Sequence, residues 1–219
     1  AVVSLPVVLP TAYLAYLHLT LKDKVQCQTT PHLQDDSVAL PKEVCQHVDE
    51  YIIWHERAWK NIQNLRLATN KGLYPELLTS YLRHNMLAFI KAPPAWAIKR
   101  SIADPNDRVS FEPDYIRGLG FEEGDRVCGV YAVSSRGQSQ IVLKLDAPAS
   151  YNGPKVEGLL AVEIENETNE DNSDLGAVRI INDVVLWRKK IGGEKLVLER
   201  AVGRWVHSVL VRWMVQRGV

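Results

Sequence analysis

From residue 127 to residue 188 apolar and polar positions alternate with a period of two, and from residue 196 to residue 216 the period lengthens to that of a helix. Successive side chains of a strand point to opposite faces, whereas those of a helix return to one face every third or fourth residue. The pattern predicts strands over 127–133, 140–146, 156–165 and 177–188, parted by turn signals at Arg136-Gly137, at Tyr151-Asn152-Gly153-Pro154 and across a polar loop. In the third, Val156, Gly158, Leu160, Val162 and Ile164 share one face while Glu157, Glu163 and Glu165 take the other. The sheet is therefore expected to have one wet side and a register held by its dry one. The closing helix gathers Leu198, Val202, Trp205, Val206, Val209 and Trp213 on one stripe, opposite Arg200, Arg204 and His207. Such a stripe has to cover something apolar. The pattern predicts an α+β fold: a curved antiparallel sheet wrapping a long C-terminal helix, with room for an apolar ligand between them.

Upstream, residues 51–57 are rich in aromatic and β-branched side chains and read as a further strand. Pro75 opens a helix that Pro93 stops, with Leu78, Tyr81, Leu82, Asn85 and Phe89 recurring at helical spacing. A second helix over 95–102 ends before Asp104 and Pro105. Residues 25–50 read as a polar linker with a short strand near 25–29. The first 21 residues contain no Asp, Glu, Lys or Arg, and Lys22, Asp23 and Lys24 close that run. About 20 apolar residues span a bilayer, but Pro6 and Pro10 are expected to break the helix and leave only 11–21 continuous. Residues 1–24 thus read as a monotopic anchor or a docked helix, and 25–219 as one ligand-binding domain. No basic segment and no small-residue cleavage pattern marks a signal peptide.

Lys plus Arg equals Asp plus Glu, at 26 each, so no long-range field recruits a polyanion and nucleic acid is not an expected partner. Cys27, Cys45 and Cys128 lack the paired spacing of a zinc site and are read as buried, reduced thiols. His55-Glu56 begins like a metalloprotease helix, yet Trp59 stands where the second ligand belongs, and no metal is expected. Ser134 to Gly137 lacks the glycines of a nucleophile elbow, and neither 153–158 nor Gly192-Gly193 precedes a helix that would aim amides at a phosphate. No cofactor is expected. The five carboxylates of the loop 165–174 lack the ordered spacing of a calcium loop and read as solvated; Asn166-Glu167-Thr168 within it is formally a glycosylation sequon.

Asn182 stands out, because it alternates with Val178, Ile180, Val184 and Leu186 on the expected ligand side of the longest strand. An amide on an apolar face needs a partner, either a neighbouring backbone group or a ligand. Tyr131 offers a hydroxyl from an adjacent strand, and His84 a general acid or base from the first long helix. These three are the catalytic candidates. Tyr81, Trp205, Val209 and Leu160 are the candidate substrate-binding residues.

The order strand, two helices, antiparallel strands and long closing helix resembles the START-like, or helix-grip, superfamily. The blocks YIRGLGFEEGDRVCGVYAVSSRG (115–137), LKLDAPASYNGPKVEGLLAVEIENE (143–167) and VGRWVHSVLVRWMVQRGV (202–219) are similar to a family of small uncharacterised fungal proteins. That likeness covers most of the chain, including the apolar leader. It implies a helix-grip fold and a relation to stand-alone biosynthetic cyclases, among them Diels-Alderases such as the norbornene-forming one of sordarin biosynthesis. The implied activity is a cofactor-independent cyclisation of an apolar terpenoid or polyketide intermediate. The uncharged run 1–21, closed by Lys22 and Lys24, separately leads to an expected place in the cytoplasm, associated with a membrane such as the endoplasmic reticulum. The likeness supplies no catalytic residue, so Asn182, Tyr131 and His84 rest on the residue pattern alone. A lipid or sterol carrier, and a dehydratase or isomerase built on His84 and Tyr131, are the alternatives those residues leave open.

Overall fold

The computed structural model describes residues 5–33, 38–63, 66, 69–166, 177–192 and 195–219, with backbone alone for 5–11. Its helices and strands follow in the order α1 (Leu5–Leu21), β1 (Gln26–Thr30), α2 (Lys42–Gln46), β2 (Tyr51–Gln63), α3 (Tyr74–Phe89), α4 (Pro93–Ser101) and α5 (Pro113–Gly118). Then come β3 (Arg126–Val127), β4 (Tyr131–Arg136), β5 (Gln140–Leu145), β6 (Glu157–Asn166), β7 (Ala177–Lys189) and α6 (Ala201–Gly218). Seven strands form one curved antiparallel sheet in the order β1-β2-β7-β6-β5-β4-β3. The chain therefore brings its last strand back beside its first long one, and β2 and β7 pair along their full 13 residues, from Tyr51 opposite Lys189 to Gln63 opposite Ala177. That pairing carries β2 beyond the expected 51–57, because ladder hydrogen bonds outweigh the weak strand propensity of Lys60, Asn61 and Gln63.

The expected strand 127–133 is broken in two. Cys128 and Gly129 both have positive φ, 49° and 71°, and a Cβ on Gly129 would lie 2.3 Å from Ile102 Cδ1 and 2.8 Å from the Phe111 ring. Only glycine fits there. A register shift between Val133 and Ser135 adds a bulge to β4, which bends the sheet at that edge.

The sheet has two faces, and neither is simply wet. On the inner face Leu160, Val162, Ile164, Val178 and Ile180 pack beneath Leu78, Leu82 and Phe89 of α3. On the outer face Leu159, Ala161, Val185 and Trp187 are buried with Tyr51 and Ile53 under Val38 and Val44. The supposed linker is thus a cover, and burying each large aliphatic there contributes about 1.5–3 kcal/mol. Val156 precedes β6 and is 39% exposed, while Leu160 and Val162 are buried as the pattern requires.

The closing helix is held from several sides rather than along one stripe. It contacts α3, α1, β1 and β2, and its buried residues are Val209, Val211, Met214 and Val215. Val202, assigned to the apolar stripe, is 74% exposed. Val211 and Val215 pack on Val25 and Ala58 instead, and Arg212 Nε donates to the Val25 carbonyl at 3.1 Å. Helix α1 also departs from expectation, since it runs unbroken from Leu5 through Pro6 and Pro10. A proline in the first turn gives up no helical hydrogen bond, which accounts for Pro6. The helix docks on α6, with His18 facing the Trp205 ring at 6.0 Å and Leu21 buried. Among the described residues, no helix is long and apolar enough to cross a membrane. Most of the loop 165–174, with Glu167 and Thr168 of the sequon, lies outside the described residues.

Candidate functional site

Between the inner face of the sheet and helices α3, α4 and α6 lies a cavity of about 370 Å³, within the usual size range for small-molecule sites. Its wall is built largely from Phe89, Ile98, Leu160, Val184, Leu186 and Leu210. The mouth is near Val156 and Val197, both of which line the cavity and remain partly exposed. Four polar side chains interrupt the apolar wall: Asn182, Tyr131, Tyr151 and His207. Asn182, Tyr131 and His207 come from β7, β4 and α6, and Tyr151 from the connection between β5 and β6, so only the closed fold brings them together.

Asn182 stands between Ala58 of β2 and Val162 of β6 in the ladder. Its Oδ1 accepts from the Tyr81 hydroxyl at 2.9 Å, and Asn85 Nδ2 donates to that same hydroxyl at 3.2 Å. A phenol has one proton, so accepting from Asn85 commits Tyr81 to donating into Asn182. The amide is thereby oriented, and its Nδ2 has no partner among the described residues. An oriented N–H donor in an apolar wall is suited to a carbonyl oxygen. Tyr131 lies edge-on to Phe89, ring centroids 6.1 Å apart, and burial raises its phenol well above the ordinary range. It stays protonated and acts as a donor.

His207 meets Glu56. The carboxylate is fully buried on the inner face, with Oε1 3.1 Å from His207 Nδ1 and Oε2 accepting from Thr29 Oγ1 at 3.1 Å across the β1–β2 ladder. Its charge is felt at Cys27: burial first, then the Glu56 charge, pushes that thiol up to about 12. With donors converging on the carboxylate, Nδ1 carries the imidazole proton and Nε2 is left as an acceptor.

Of the seven residues singled out from sequence, Asn182, Tyr131 and Leu160 line the cavity. Tyr81 does not; it is buried behind the wall and acts on the site through Asn182. His84 lies apart from the cavity lining, exposed on α3 with Nδ1 2.9 Å from the Ser80 carbonyl. Trp205 also falls outside the lining, since α6 turns it toward His18 of α1. Val209 is fully buried yet away from the cavity wall. Cys45 is exposed, contrary to the expectation for all three thiols, because α2 caps the sheet with only Val44 turned inward.

The sequence reading missed His207 and Glu56. In the sequence His207 lies with arginines opposite the apolar stripe, and Glu56 belongs to a metal motif that Trp59 breaks, so neither stands out. The available signal was alternation along β2, which sets Glu56 on the same face as Trp54 and Ala58. His55, the other half of that motif, points to the outer face, where its Nε2 lies 2.7 Å from Asp183 Oδ1. Among the described residues, no group of His, Cys, Asp and Glu side chains is arranged to hold a metal ion.

Compared with family models, with curated proteins and with solved structures, the chain matches none.

Proposed function

We propose that this chain is a cofactor-independent biosynthetic cyclase of the Diels-Alderase type, built on a helix-grip fold and acting on an apolar terpenoid or polyketide intermediate. The observation that carries the reading is the apolar cavity with the oriented amide of Asn182 in its wall. Ring closure within one molecule needs little chemistry from the protein. Holding the reacting ends in a near-attack conformer removes several kcal/mol of barrier, and a hydrogen bond that strengthens as a carbonyl oxygen gains charge removes more. Asn182 and Tyr131 supply such donors. The helix-grip assignment is supported by the return of β7 beside β2, the two helices that follow β2, and the closing helix across the inner face. Exposure of Tyr13, Tyr16 and Leu19 on α1 supports an attachment of the cytoplasmic protein to a membrane surface.

The test begins with whatever the purified chain carries. Organic extracts of the native chain and of Val184→Trp, which fills the cavity, are compared by mass spectrometry. A terpenoid or polyketide present only with the native chain, and converted by fresh protein to a ring-closed isomer faster than in buffer, is the expected result. Binding without conversion would leave a lipid or sterol carrier. Identical extracts with no apolar compound would remove both.

A further inference from the structure

Among the described residues, two histidines pair with fully buried carboxylates, and the two pairs differ in their access to the cavity. His55 and Asp183, on the outer face, have side chains 0% and 1% exposed, sealed from any cavity. Glu56 is equally sealed at 0%, but its partner His207 keeps 21% of its side chain exposed and lines the apolar cavity. A buried carboxylate is costly, and an apolar residue of similar size often serves stability as well or better. Both pairs carry that cost, but only the second reaches the cavity, where it can act on a ligand. Its carboxylate holds the Nδ1 proton and leaves Nε2 without a hydrogen-bond partner among the described residues, the arrangement by which a carboxylate orients an imidazole base.

We propose that His207, oriented by Glu56, is the proton-transfer residue of this cavity and acts on a carbon acid conjugated to a carbonyl. The proposal rests on reading the cavity as the place where an apolar intermediate cyclises, and it names the step that starts the reaction. His207 Nε2 takes a proton from the carbon adjacent to the enone or carbonyl. The C–H electron pair moves into the π system, and the resulting negative charge settles on the carbonyl oxygen, held by the Asn182 amide. The extended dienolate then closes the ring on a second unsaturated group of the same molecule. The imidazolium returns its proton to the carbanion centre so formed. Substrate and product are isomers, so no oxidant, reductant or other co-reactant enters. Glu56 touches no substrate; it is a positioning residue that also stabilises the transient imidazolium charge.

Two small probes test this without the natural substrate. The anilinonaphthalene sulfonate dye reports entry to the cavity by its fluorescence. 5-Nitrobenzisoxazole reports a base: removal of its C3 proton sends the C–H pair into a nitrile as the N–O bond breaks, releasing a coloured phenolate. The full chain is expected to bind the dye and to accelerate release of the phenolate. His207→Gln and the ring-conserving His207→Phe should both lower that rate at least about 100-fold while the dye still binds. Glu56→Gln keeps the shape and an acceptor but removes the charge, and should lower kcat about 10-fold or more with KM unchanged; a merely structural Glu56 would move KM or neither. His84→Ala, exposed on α3, should change nothing. Dye uptake with phenolate release no faster than in buffer, or full activity in either folded His207 variant, would overturn the proposal and leave the cavity reading standing. Absence of dye uptake by the native chain would remove the two together.

Discussion

Asn182 owes its orientation to Tyr81, and the dependence is measurable. Tyr81→Phe keeps the ring that packs under α6 but removes the proton that Asn182 Oδ1 accepts and the oxygen that Asn85 Nδ2 reaches. Both amides then lack partners in an apolar setting, where an unpaired polar group costs about 1–3 kcal/mol. Urea unfolding of the variant should show a loss of that size, and an unchanged midpoint would mean that water takes the place of the phenol. Asn182 itself was legible in the sequence because a period of two decides which residues share a face. His207 was not, because α6 is packed on several sides and its helical period alone names no inward direction.

Helix α6 and its neighbour α1 show how packing reassigns a stripe. Trp205 looked central to the grip, yet it is half-buried between α6 and His18. Trp205→Ala should therefore cost about 1–2 kcal/mol, in proportion to the area it loses, rather than the larger penalty of a fully buried Trp. Thermal unfolding decides between the two. A cost above about 3 kcal/mol would indicate that the α1–α6 contact supports the whole core. Existence and type of the long elements were readable from periodicity. Their partners were not, because the charge-free leader satisfies the requirements of a membrane surface and of a docked helix equally well.

Over the whole molecule, β7 is tied to the turn preceding α6 by Arg188 and Glu199, with Nε to Oε1 at 2.6 Å and Nη2 to Oε2 at 2.8 Å. Glu199 Oε1 also accepts from the Leu196 amide at 2.8 Å. The Arg188 hydrogen bonds hold the Glu199 carboxyl down to about 2. Its unfolded value is near 4.3. Because the folded value is the lower one, this stabilisation is complete above the unfolded value and is lost as pH falls from there toward about 2. Glu199→Gln should be less stable at neutral pH and lose less stability across that window. An acid limb identical to that of the native chain in chemical unfolding would show that the pair does not link the sheet to the helix. By itself the sequence determined the kinds of element, the apolar face of β7 with its single amide, and the lack of a net charge, since each depends on residues near one another in the chain. Tertiary structure alone decided that residues 38–44 cover the outer face, that β2 returns to β7, and that His207 meets Glu56 at the cavity. Those facts join segments as much as 151 residues apart, and no local period records which of several apolar or polar faces will meet.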